Sequence, residues 1–164
     1  MELAKRKPNR LVGYDYATCG AYFITICTAG HTCMFWADNV GADIIRPQNT
    51  VQLSVYGNFV NDAIRNIPHY YSNVEIDKYC VMPNHVHMII LMMPDEFGRI
   101  ISAPTISTVV GQMKRWVSKQ IGYPVWQKSF YDHIICNEHE YQQIWTYIDS
   151  NPALWLDGKD TLCQ

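Results

Sequence analysis

Tyr79-Cys80-Val81-Met82-Pro83-Asn84-His85-Val86-His87-Met88-Ile89-Ile90 reads as the meeting of two strands. Pro83 and Asn84 are turn residues: proline presets φ, and asparagine bonds readily to nearby backbone. Val74 to Val81 precedes the turn and His85 to Met92 follows it, both rich in apolar and β-branched side chains. Residues two apart on a strand point to the same side, so His85 and His87 project together. Val86, Met88 and Ile90 then point the other way, into a core.

The same logic extends in both directions along the chain. Tyr22 to Thr28 is β-branched and aromatic, which predicts a buried strand, and a second short strand is expected around Cys33 to Trp36. Leu53, Tyr56, Phe59, Val60, Ala63, Ile64 and Ile67 recur at three- and four-residue steps, which predicts an amphipathic helix ending at Pro68. Ile106, Val109, Val110, Met113, Trp116, Val117 and Ile121 predict a second helix, with Thr105 as N-cap and Gly122 past its end. Phe130 to Cys136 reads as a fourth main strand. Asn137 is placed to cap a third helix, from Glu138 to about Ser150, ended by Pro152. The order is β-α-β-β-α-β and then a helix, the split βαβ or ferredoxin-like plan. The expected class is α+β: a four-stranded antiparallel sheet with two helices on one face, plus a C-terminal helix bearing Tyr147.

Composition bounds what such a chain does. Its 164 residues are 48% apolar and 17% charged, enough for a core and too apolar for disorder. The expected organisation is a basic arm over 1–10, one domain over 11–157 and a short tail over 158–164. No apolar run is long enough to span a bilayer, and no apolar segment of signal-peptide type follows the basic N-terminus. None of the six cysteines forms a C-x-x-C pair or lies at zinc-finger spacing, which suits a reducing cytoplasm. Thirteen Lys and Arg against fifteen Asp and Glu give a net charge of -2, an argument against indiscriminate binding to nucleic acid. The basic residues are clustered, however. Lys5, Arg6, Lys7 and Arg10 fall in the arm, and Lys114, Arg115 and Lys119 fall on the second helix.

Two groups of residues carry possible chemistry. His85 and His87 on one sheet face supply half of a divalent metal site; equally, they are two strand histidines bonded to neighbours or water. Tyr147 and Asn151 lie four apart and share a helix face, where a phenol and a carboxamide stand side by side. The bland alternative makes Tyr147 a packing residue and Asn151 a helix stop before Pro152.

These residues are accompanied by others. Arg10-Leu11, Gly13-Tyr14-Asp15-Tyr16, Gly20 to Thr28, Val81-Met82-Pro83-Asn84-His85-Val86-His87, Val125-Trp126-Gln127, Phe130 to Ile135, Tyr147-Ile148, Asn151-Pro152 and Trp155 occur in this order. Over residues 6 to 157 the chain resembles the REP-associated tyrosine transposases, a branch of the single-tyrosine HUH transposases. The pairing of M-P-N-H-V-H with Y-I-x-x-N-P is what makes the resemblance specific.

The resemblance implies that His85, His87 and Asn151 hold Mg²⁺ or Mn²⁺ and that Tyr147 is the catalytic nucleophile. It implies cleavage and rejoining of single-stranded or hairpin DNA through a 5′-phosphotyrosine, by a monomer or a homodimer. DNA contacts are expected from the arm residues Lys5, Arg6, Lys7 and Arg10, from Lys114, Arg115 and Lys119, and from Lys128. Trp126 and Tyr131 are expected to stack on unpaired bases. Tyr131 and Tyr141 are rival nucleophiles, Tyr141 the weaker because six residues turn it away from Tyr147. Two other classes compete: a metal-dependent hydrolase, which lacks acidic ligands close after the histidine pair, and a non-catalytic hairpin-binding or regulatory protein that keeps the fold.

Overall fold

The computed structural model describes residues 19–37, 51–94 and 104–158. The arm with Lys5, Arg6, Lys7 and Arg10 lies outside the described residues, as do 11–18 and all of the tail beyond Gly158. The elements are β1 (Gly20–Cys27), α1 (Val55–Tyr70), β2 (Val74–Val81), β3 (His85–Met92), α2 (Ile106–Ile121), β4 (Tyr131–Ile135) and α3 (Glu138–Leu156), with a short 3-10 turn at Ala29–His31. They form one antiparallel sheet in the order β2-β3-β1-β4, the ferredoxin-like arrangement. The histidine strand β3 is therefore central, between β2 and β1.

Local chemistry sets the helix ends. The Ser54 hydroxyl accepts from the Gly57 amide and starts α1, and the Thr105 hydroxyl accepts from the Thr108 amide and starts α2. Gly122 closes α2 in the left-handed conformation at φ 96°. Gly57 is required for a different reason: a Cβ there would lie 2.0 Å from the Phe35 carbonyl oxygen. One sheet face and these two helices enclose the main core. Tyr22, Ile24, Ile26, Val86, Met88 and Ile90 meet Val60, Ile64, Val109, Met113 and Val117 there.

Five features depart from the sequence expectations, the first being β1, which runs from Gly20 to Cys27 and not from Tyr22 to Thr28. Helix α1 continues through Pro68 to Tyr70, because a proline in the last turn removes only one helical donor and Tyr71 N–H still reaches the Ile67 carbonyl. Helix α3 likewise runs through Pro152 to Leu156, so Asn151 is no helix stop. Cys33 to Trp36 forms no strand; Trp36 makes an isolated bridge to Leu53. Strand β4 is one residue shorter at each end than Phe130 to Cys136. In β2, the register slips between Ile76, opposite Ile90, and Lys78, opposite Ile89. Asp77 is the extra residue of a bulge.

Helix α3 covers the other sheet face, against β2 and β3, and buries only Ile148 and Asn151. Polar contacts hold its rim. Lys78 pairs with Asp149 and lies 3.8 Å from the Trp145 ring centre, and Tyr141 Oη donates to Asp77 Oδ2 at 2.5 Å. Near its start, Glu140 accepts from the Cys136 amide at 2.8 Å and pairs with His133 at 2.7 Å. Among the described residues no helix is long and apolar enough to cross a membrane.

Candidate functional site

The site lies between β3 and α3. His85 is fully buried and His87 is 2% exposed. Their Nε2 atoms face each other at 3.0 Å, and Tyr147 Oη is 3.2 Å from His87 Nε2. Tyr147, Asn151 and Trp155 recur at four-residue steps along α3. Tyr147 meets the His87 ring at 5.2 Å between centroids and Trp155 meets the His85 ring at 5.9 Å. Asn151 sits on α3 between those two contacts, fully buried.

Each imidazole has a partner on its other nitrogen. Asn84 Oδ1 is 2.7 Å from His85 Nδ1, and Asn84 Nδ2 donates to the His31 carbonyl, which fixes the orientation of the amide. An amide oxygen only accepts, so His85 carries its hydrogen on Nδ1 and offers a lone pair from Nε2. Thr25 lies directly opposite His87 in the β1–β3 register, and its hydroxyl is 2.8 Å from His87 Nδ1. Burial, and after it the neighbouring His85, push His87 from its ordinary 6.5 down to about 3. His87 is therefore neutral near pH 7 and keeps a lone pair for a cation.

The donor set fits a divalent ion. Two nitrogens side by side on an octahedral cation at about 2.1 Å lie about 3.0 Å apart, the spacing of the two Nε2 atoms. Both polar atoms of the Asn151 amide are buried with no hydrogen-bond partner. A buried, unbonded amide costs about 1–3 kcal/mol, and a cation held by its oxygen offsets that cost. The described residues contain no cluster of three or more His, Cys, Asp or Glu that could hold a metal. The Asn151 carboxamide could supply the oxygen of a mixed nitrogen and oxygen set with the two imidazoles, one that suits Mn²⁺ and that Mg²⁺, which keeps several waters, tolerates.

The other residues singled out by sequence divide. Tyr131 is 52% exposed at the site's edge and meets Phe23 edge-on at 6.3 Å. Phe23 in turn stacks on His87 at 5.4 Å. Trp126 corrects the expectation of base stacking: it is only 9% exposed, lies in the core 5.2 Å from the Phe35 ring, and offers no face to a base. Lys114 is also spoken for, since its ammonium donates to the Gln127 carbonyl at 2.6 Å and reaches those of Lys128 and Ser129. It straps down the segment leading into β4. Arg115, Lys119 and Lys128 are exposed. Tyr141 is bonded to Asp77, away from the histidines, and burial followed by that carboxylate raises its phenol above the usual range.

Sequence reasoning missed Thr25 and Phe23 as members of the site. Alternation with the buried Tyr22, Ile24 and Ile26 was the signal that both leave the core face. Only the β1–β3 register then brings them to His87, across 62 residues for Thr25.

The chain matches no family model. It is 35% identical over 169 residues to an uncharacterized protein of Haemophilus influenzae, covering 92% of this chain and 89% of that one. Its fold is similar to that of a REP-associated tyrosine transposase bound to a REP hairpin, with TM-score 0.61, 20% identity and coverage of 92% of this chain and 76% of the other. A putative transposase from Deinococcus radiodurans aligns at TM-score 0.46 and 18% identity, over 86% of this chain and 95% of the other.

Proposed function

This chain belongs to one family with the Haemophilus influenzae protein and has the fold of a REP-associated tyrosine transposase; from that premise we propose that it cuts and rejoins DNA through Tyr147. The observation that carries the proposal is the meeting of Tyr147 Oη with two facing imidazole nitrogens, with an unbonded buried amide one helical turn along α3.

His85, His87 and Asn151 would hold the ion, Mg²⁺ or Mn²⁺. When bound, it supplies positive charge that polarises the scissile phosphate and offsets charge developing there. Tyr147 Oη attacks the phosphorus, forming a phosphotyrosine ester to the 5′ side and breaking the bond to the 3′-oxygen. The phenol hydrogen is lost, and the departing oxygen takes up a proton to become a 3′-hydroxyl. Attack by another 3′-hydroxyl reverses the step and joins strands, so phosphodiester energy is conserved.

Phenol is a weak nucleophile with an ordinary pKa near about 10, and a fixed position close to the ligand set is how this chain compensates. Trp155 and α3 cover the histidines and limit water. Exposed Tyr131 and the Phe23 ring behind it present an aromatic edge suited to an unpaired base. The substrate class is single-stranded or hairpin DNA, and the REP hairpin held by the structural relative sets the first probe to use.

The test is covalent trapping. A labelled hairpin oligonucleotide with a single-stranded flank, incubated with Mn²⁺, should yield a denaturation-resistant adduct. Tyr147→Phe should give none while still shifting the same DNA on a gel. An adduct that persists in Tyr147→Phe overturns the assignment. Hairpin binding with no adduct from the unaltered protein favours a non-catalytic hairpin-binding role.

A further inference from the structure

The two histidines are held differently. His85 faces an amide oxygen that can only accept, and Asn84 cannot turn over because its nitrogen is bonded to the His31 carbonyl at 3.2 Å. The carbonyl is aimed by an unusual backbone: His31 has φ 53°, the left-handed region that non-glycine residues seldom enter. His85 is thereby fixed with its hydrogen on Nδ1. His87 faces a hydroxyl instead, and a hydroxyl both donates and accepts by rotating about its C–O bond.

This difference matters at the 3.0 Å contact between the two Nε2 atoms. Without a cation, two lone pairs at that distance would repel. His87 must then carry its hydrogen on Nε2 and donate to His85, while Thr25 donates to His87 Nδ1. With a cation, both Nε2 atoms must present lone pairs. The His87 hydrogen then belongs on Nδ1, and Thr25 accepts it. An acceptor-only partner would forbid the first state, and an apolar residue would leave Nδ1 unpaired in both.

We propose that Thr25 is a positioning residue whose hydroxyl lets His87 exchange its ring hydrogen between Nε2 and Nδ1, so that both ring nitrogens of His87 are bonded whether the site is empty or loaded. This rests on the cation reading above, and it assigns the two histidines unequal parts: His85 the fixed ligand, His87 the adaptable one.

Nitrogen-15 NMR of the full chain, through long-range imidazole correlations, reads each ring's tautomer directly. Without added metal, His85 should carry its hydrogen on Nδ1 and His87 on Nε2. Saturation with Mg²⁺ should move the His87 hydrogen to Nδ1 and leave His85 unchanged. In parallel, Mn²⁺ affinity measured by electron paramagnetic resonance should fall about 10- to 100-fold in Thr25→Val, as for loss of other partners behind a metal-bound histidine, and return in Thr25→Ser. A His87 tautomer that stays the same in a protein shown to bind Mg²⁺ overturns the proposal. So does Thr25→Val binding Mn²⁺ as tightly as the parent. If the unaltered protein binds neither ion, the cation reading falls and takes this inference with it. The NMR measurement uses the unaltered chain, so a Thr25→Val protein that failed to fold would not remove the test.

Discussion

The two faces of the sheet are built on opposite principles, although one strand supplies both. On the α1–α2 side, β3 contributes Val86, Met88 and Ile90 to a continuous apolar cluster. On the α3 side the same strand contributes His85, His87 and Ile89, and the helix above buries one isoleucine and one asparagine. The first face is held by apolar contact, with the Trp126 Nε1 buried in it as a polar atom that has no partner. The second has an amide with no partner, two nitrogens facing each other and a helix that buries few side chains against it and carries polar contacts along its rim. Stability and chemistry are thus separated by the pleat of a strand, and a change of one residue along β3 moves from one to the other.

Substitutions on the two faces test that separation. The largest effect is on the α3 side: Tyr147→Phe should abolish the covalent DNA adduct while leaving the midpoint of urea unfolding nearly unchanged. Met88→Ala, on the other face, should cost about 2–5 kcal/mol in urea unfolding, since a fully buried side chain is deleted from a packed cluster. Mn²⁺ affinity of the folded protein should change little. Asn151→Leu should act in the reverse sense. Replacing an unbonded buried amide should stabilise the metal-free protein by about 1–3 kcal/mol in the same assay and weaken Mn²⁺ binding.

A smaller effect follows from the depressed His87. The unfolded chain takes up a proton near the ordinary 6.5, whereas the native site resists until about 3. Stability of the metal-free protein is therefore full above that ordinary value and falls as pH drops towards 3, by up to about 1.4 kcal/mol per pH unit. His87→Gln should flatten this slope in thermal melts between pH 7 and 5. Smallest of all, Lys78→Met should cost only about 0.2–1 kcal/mol, because its partner Asp149 is well exposed. A loss several times larger would show that the rim, and not Ile148, holds α3 in place.

Much of this was legible in the sequence, for identifiable reasons. Strands β2 and β3 follow from alternation on either side of Pro83-Asn84, and that alternation alone puts His85 and His87 on one side and Met88 on the other. Tyr147 and Asn151 share a helix face by four-residue spacing. The rest depended on distances in sequence that local patterns do not span. Trp126 looks like a surface aromatic in a polar segment, but its bridge to Thr28 carries it into the core. Pro152 looks like a terminator, yet the helix continues and brings Trp155 over His85. Thr25 and Phe23 enter the site only through cross-strand register, which no short window of sequence contains.

The bulge at Asp77 has a consequence for how the gene can change. Before it, Ile76 stands opposite Ile90 on the core side; after it, Lys78 and Cys80 stand opposite Ile89 and His87 on the α3 side. Had β2 run without interruption, Ile76, Lys78 and Cys80 would have shared one face. Removing the single codon for Asp77 would make Ile76 and Lys78 consecutive, still opposite Ile90 and Ile89 and on the same two faces, so the ladder closes without a bulge and only the Tyr141 anchor on the Asp77 carboxylate is lost. In-frame deletion, usually a damaging lesion within a strand because it turns every later side chain over, is here the one change of length that β2 absorbs with all its faces kept.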